Sequence, residues 1–95
     1  DHNSMGAIGA RKAYDILRNI EHVLAIEFIT AAQGVDFHAP KRGGKGTGAA
    51  FETVRTVVPR IDDDRYLHRD IEAAAELVRS GDILAAVERE TGPLE

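Results

Sequence analysis

Three groups of side chains have the types, though not always the spacing, to do chemistry. The run Gly43-Gly44-Lys45-Gly46-Thr47-Gly48 looks at first like a phosphate cradle. Such a loop needs a glycine, four residues and then Gly-Lys-Ser/Thr, following a strand. Here Gly46 separates Lys45 from Thr47 and no strand pattern precedes the run, so it reads as a surface loop. Asp62, Asp63 and Asp64 supply oxygen ligands suited to a hard divalent cation. A calcium loop also needs alternating ligands, a glycine and a distal glutamate, and their lack here points to a solvated acidic turn. His2, His22, His38 and His68 are scattered, with no i, i+4 pair flanking a glutamate, so no metal ligands are assigned.

Glu27 and Gln33 lie on, or at the end of, the most apolar stretch of the chain. A buried Glu27 would need a partner, and an inter-helix or inter-subunit pair with an arginine is the expectation. Ser4, Thr30 and Ser80 stand in no nucleophile motif.

The elements that position these groups read as helices. From Ser4 to about Val35 there is no proline, and Met5, Ile8, Ala13, Ile16/Leu17, Ile20, Val23/Leu24, Phe28, Ala31 and Val35 recur at helical spacing. Asn3 or Ser4 is the expected N-cap. Between Ala10 and Glu21 polar residues leave one face for solvent, but between Val23 and Ala32 the only polar side chains are Glu27 and Thr30. A helix apolar almost all round is buried almost all round, and so small a chain cannot wrap it, so partners are expected. After the glycine-rich loop, Thr47 is expected to cap a second helix that runs to about Val58 and stops at Pro59. Asp70 is expected to cap a third helix, Ile71 to Arg79, that stops at Gly81, and Asp82 a fourth, Ile83 to about Arg89. The fold class is therefore all-α, one long helix followed by three shorter ones. Its sections are a long bundle helix (1–36), a Gly-rich loop (37–47) and a C-terminal short-helix region (48–95), all one partial domain.

The totals narrow the function classes. Ninety-five residues make one small domain or part of a larger one. A net charge of −4, with three Phe and two Tyr, argues against nucleic-acid binding by a basic surface or a stacking platform. The absence of cysteine excludes a disulfide framework and a thiolate nucleophile, and fits a cytoplasmic setting. The longest uninterrupted apolar run, Ile83 to Val87, is far too short to span a membrane, and with Asp1-His2-Asn3 first no signal peptide is expected in these residues.

The opening Asp1-His2-Asn3-Ser4-Met5-Gly6, followed by Ala10-Arg11-Lys12, resembles a signature of the aromatic amino acid lyases, in particular their histidine ammonia-lyase branch. The resemblance continues through Val23-Leu24-Ala25-Ile26-Glu27, Ala31-Ala32-Gln33-Gly34-Val35-Asp36, Gly46-Thr47 with Ala50-Phe51, Asp64-Arg65 and Asp70-Ile71-Glu72. Each piece is short, but their order and spacing cover the chain to about Val87.

The resemblance implies a larger helical-bundle fold assembled as a homotetramer. It also implies non-oxidative loss of ammonia from an amino acid, histidine giving urocanate. The implied electrophile is 4-methylidene-imidazol-5-one, formed autocatalytically from an internal Ala-Ser-Gly that this chain does not contain. The family's active-site glutamate directly precedes its Asp-His pair, so the match carries over only an edge of the site: Asp1, His2 and Ser4, as orienting positions, with no catalytic residue in this chain. Capping the long helix is the alternative role for those three. The implied partners are the remainder of a lyase polypeptide, identical subunits and a small amino-acid substrate. His2 and Met5 favour histidine; a phenylalanine or tyrosine ammonia-lyase or an aminomutase is the alternative within the family. An autonomous helical oligomerisation module is the alternative outside it.

Overall fold

The computed structural model of the chain describes residues 2–39 and 43–94, and the side chains of residues 2–4 fall outside that description. Four helices follow one another: α1 (His2–Phe37), α2 (Lys45–Arg55), α3 (His68–Ser80) and α4 (Asp82–Thr91). No strand occurs among the described residues. The all-α expectation, one long helix and three short ones, is met.

α1 is the long axis of the molecule. At about 1.5 Å per residue, its 36 residues account for most of the 60 Å in overall dimensions of 60 × 37 × 16 Å. His22, Ala25, Ile29, Ala32 and Asp36 recur along it in steps of three and four, which places them on one stripe. The middle of that stripe is closed off from water: Ala25 is 0% exposed, and Ile29 and Ala32 are buried. They join Val54 and Val58 from α2 and the turn after it, Ala74, Ala75 and Leu77 from α3, and Ile83 from α4 in a single core. Alanines on both α1 and α3 keep the two backbones close, while the larger residues fill the space between the layers.

α3 runs antiparallel to α1. The segment leading into α3 is tied to Gln33, while the far end of α3 reaches back to Glu21. α4 turns away from α3 and lies against α2. The two pack tightly at Gly46, where a Cβ would sit 3.0 Å from Thr91 Cγ2 and 3.4 Å from Val87 Cγ1. Gly81 makes the sharp α3–α4 corner with φ +81°, a left-handed conformation that costs a side-chain-bearing residue energy.

The helix starts differ from the expected caps. α1 already includes His2, so Asn3 and Ser4 have helical backbones, whereas an N-cap does not. α2 starts at Lys45 behind an extended Gly44, which puts Thr47 inside its first turn. Asp70 is the third residue of α3 and is buried, because its carboxylate accepts from Arg65 Nε at 2.9 Å rather than from a free helix N–H. Asp82 is already helical because only Gly81 separates α3 from α4, and Ser80 Oγ accepts its N–H at 3.3 Å.

Two substitutions test this packing. Val58→Ala removes two methyl groups from a site that is 0% exposed and is expected to cost about 2 kcal/mol. Gly81→Ala is expected to cost about 1 kcal/mol through its positive φ alone. Urea unfolding of both variants reads these losses, and an unchanged midpoint for Val58→Ala would contradict a core centred on that side chain.

Candidate functional site

Of the residues expected at the edge of a site, Asp1 lies outside the described residues, while His2 and Ser4 lie in the first turn of α1 with side chains outside the description. The structure therefore gives them a helical backbone and no contacts to report. From Met5, 74% exposed, to Leu17, 55% exposed, every residue of α1 is exposed. None of the other described helices covers that half of α1.

The remaining candidates disperse. Lys45 to Gly48 form the first turn of α2, and Lys45, Thr47 and Gly48 line an open cavity of about 550 Å³ together with Asp36, Phe51, Glu52 and Glu90. Those carboxylates make a poor phosphate cradle. Asp62, Asp63 and Asp64 are exposed, with Asp62 2.9 Å from Arg60 Nε. Among the described residues no group of three or more His, Asp or Glu side chains is arranged to hold a metal ion. His38 is exposed beyond α1, and the His68 ring lies 6.0 Å from that of Tyr66. Glu27 is exposed and has no arginine partner among the described residues; the expected ion pair occurs instead at Glu21. Gln33 ties the loop after α2 to α1, since its Nε2 donates to the Ile61 carbonyl at 2.7 Å and its Oε1 accepts the Ile61 N–H at 3.2 Å.

What the structure does assemble is a polar seam between α1 and α3. His22 Nε2 lies 2.8 Å from Glu72 Oε1, and its Nδ1 lies 2.7 Å from the Arg18 carbonyl. Arg79 Nε donates to Glu21 Oε2 at 2.7 Å, and Arg79 Nη1 donates to Glu76 one turn earlier. Glu21 is only 6% exposed. The hydrogen bond to Glu21 raises the Arg79 pKa further above its usual value. The hydrogen bond to Glu72 raises the His22 pKa, and the same bond lowers that of Glu72.

A second cluster holds the other end of α1. Arg55 pairs with Asp36, donates to the Val58 carbonyl at 2.9 Å and stacks 5.4 Å over the Phe51 ring. Arg65 holds the acidic loop, donating to the carbonyls of Arg60 at 3.0 Å and Pro59 at 2.8 Å as well as to Asp70. Sequence reasoning missed these pairs. The available signal was that Arg18, Glu21 and His22 extend the buried stripe of α1 toward its N-terminus, so charges there were bound to meet a neighbour.

The Glu21–Arg79 pair generates an asymmetric prediction. Arg79→Met strands a buried carboxylate, whereas Glu21→Gln leaves a guanidinium that still reaches Glu76 and water. Arg79→Met is therefore expected to lower the thermal midpoint more than Glu21→Gln does, and adding Glu21→Gln to it is expected to recover part of the loss. Additive losses in a double-mutant cycle would show that the two side chains are not coupled.

Comparison with known proteins agrees with the pattern of short motifs. Residues 1–56 match the family model described as aromatic amino acid lyase. The chain is 54% identical to the histidine ammonia-lyase of Sorangium cellulosum over 99% of its own length and 18% of that protein. It is 48% identical to the histidine ammonia-lyase of Symbiobacterium thermophilum, and 46% identical to that of Natranaerobius thermophilus, over 100% of its length and 19% of each. It thus spans about a fifth of the length of the curated relatives it matches, in their C-terminal portion. No solved structure matches it. A family model that extends over more than half of the chain, and relatives aligned along essentially all of it, establish that the chain belongs to the aromatic amino acid lyase family.

Proposed function

We propose that this chain is a C-terminal segment of a histidine ammonia-lyase, which deaminates L-histidine non-oxidatively to urocanate and ammonia, and that its own role is scaffold and subunit assembly. The observation that carries the reading is the near-complete alignment with proteins named histidine ammonia-lyase, of which it spans about a fifth. A bare apolar face on α1 supports the assembly role: Met5, Ile8, Ile16, Leu17, Ile20, Val23 and Ile26 are all roughly half exposed or more. Contiguous apolar surface of that kind marks an interaction site, and in this family's homotetramer the partner would be the remainder of the lyase or identical subunits. The sections 1–36, 37–47 and 48–95 would then act as one partial domain. No helix of the described residues is long and apolar enough to cross a membrane, which is compatible with a cytoplasmic enzyme.

The residues present do not fit the family's electrophile. 4-Methylidene-imidazol-5-one arises from Ala-Ser-Gly, and the serines here are Asn3-Ser4-Met5 and Arg79-Ser80-Gly81. The Ser80 hydroxyl is occupied at the α3–α4 corner, donating to the Leu77 carbonyl at 3.2 Å. No chemical step is therefore assigned to this chain. Asp1, His2 and Ser4 are proposed to border the active site and orient it from the start of α1, with the proton-abstracting base and the electrophile supplied elsewhere in the polypeptide.

Two experiments test the reading. The reading frame that encodes the chain is expected to continue upstream through an Ala-Ser-Gly, and the full-length product is expected to turn histidine into urocanate in preference to phenylalanine or tyrosine. A frame that opens beside Met5, with a stable isolated product, would favour a free-standing oligomerisation module instead. Leu17→Arg, on a residue with little contact within this chain, is expected to leave helix content intact but to break the full-length assembly by placing an unpaired charge in its interface. Light scattering that still showed a tetramer would refute the placement of α1 in that interface.

A further inference from the structure

Among the described side chains, His22 is the one histidine that holds two helices together, and both of its ring nitrogens are engaged. Nδ1 faces a backbone carbonyl 2.7 Å away, which can only accept, and Nε2 faces a carboxylate 2.8 Å away, which when ionised can also only accept. A neutral imidazole carries one proton, so one of its nitrogens would then point a lone pair at an oxygen. Only the doubly protonated ring satisfies both contacts. We propose that the His22 imidazolium is a proton-operated latch between α1 and α3, closing the seam when protonated and loosening it when it loses its proton. This inference depends only on the α1–α3 contact and not on the lyase reading.

The charged surroundings support this. From α1, Arg18 acts on the ring, while Tyr14 and Glu21 act on Arg79; from α3, His68, Glu72, Glu76 and Arg79 face the seam. Glu21 and Glu76 are both engaged by Arg79, which leaves Glu72 as the carboxylate in contact with the ring. The hydrogen bonds to Glu72 and to the Arg18 carbonyl raise the His22 pKa above its ordinary 6.5, against opposition from partial burial and the Arg18 charge. The bond to His22 holds Glu72 below its ordinary 4.5.

The signs define a window. A raised histidine pKa contributes stability that is fully present below 6.5 and lost as pH rises through the folded value. A lowered glutamate pKa contributes stability that is present above 4.5 and lost as pH falls through the folded value. The latch is therefore closed between those limits and opens on the alkaline side. The 2.7 Å contact between Arg79 Nε and Glu21 Oε2 ties the same two helices without involving the His22 ring, so opening is a local loosening of α3 and not a loss of the fold.

The test uses the chain itself, between about pH 5 and about pH 9. An NMR titration of the His22 ring gives its protonation midpoint in place. Amide exchange, corrected for intrinsic rate, follows α3 against α2. The expected result is a His22 midpoint above 6.5, with α3 protection, relative to α2, falling as pH passes through it. That fall is expected to vanish in His22→Gln, which keeps one neutral donor toward Glu72, and to persist in His68→Gln. A His22 midpoint at or below 6.5 in the unmutated chain, or the same alkaline fall in His22→Gln, overturns the proposal. The titration of the unmutated chain decides even if a variant fails to fold.

Discussion

A long helix in water gains little from its own hydrogen bonds and is stable chiefly through what it packs against. In this chain that packing is concentrated on one stripe of α1, the apolar steps Ala25, Ile29 and Ala32 with a polar group at each end. α3 is laid along the first part of the stripe and α2 is tied to its far end, and α4 is placed chiefly through α2. The burial of apolar surface supplies the driving force. The charges at either end are worth less as attraction, but they set register. Sliding α3 by one residue would bury the Glu21 carboxylate without Arg79, a far larger penalty than the pair's net gain.

The same stripe explains why the molecule is lopsided. Among the described residues only the second half of α1 finds a partner, and from Met5 to Leu17 the apolar side chains of the first half face outward. A bundle completed by other polypeptide would, under the proposed reading, cover those side chains. Under the proposed reading, the end of α1 nearest the lyase chemistry is also the end held least by this chain, so the order of the site's edge would come from the assembly. The C-terminal helices would then act at a distance, by keeping α1 straight and in register.

Much of the fold was legible because helical periodicity and glycine placement are local. The apolar recurrence from Met5 to Val35 marked α1, and Gly81 marked the α3–α4 corner because only glycine takes a left-handed turn without cost. The family was legible for a different reason, as an ordered series of short motifs along most of the chain. The helix starts were not legible. Asn3 or Ser4, Thr47, Asp70 and Asp82 all have the side chains of caps, yet all lie inside helices. A cap is worth only about 1 kcal/mol, less than tertiary pairing can offer, as Arg65 shows by taking the Asp70 carboxylate.

The polar seam marks the boundary between the two kinds of information. By itself, the sequence determined that Arg18, Glu21 and His22 share one side of α1, because helical spacing is a property of neighbouring residues, but not that this side turns inward. It could not determine that His22 meets Glu72, 50 residues on, or that Glu21 meets Arg79, 58 residues on. Those pairings exist only once the chain has turned back at Pro59 to Leu67 and laid α3 antiparallel on α1. The reason is physical: charge and size are carried by each residue, but which charge faces which is settled by the path of the backbone between them.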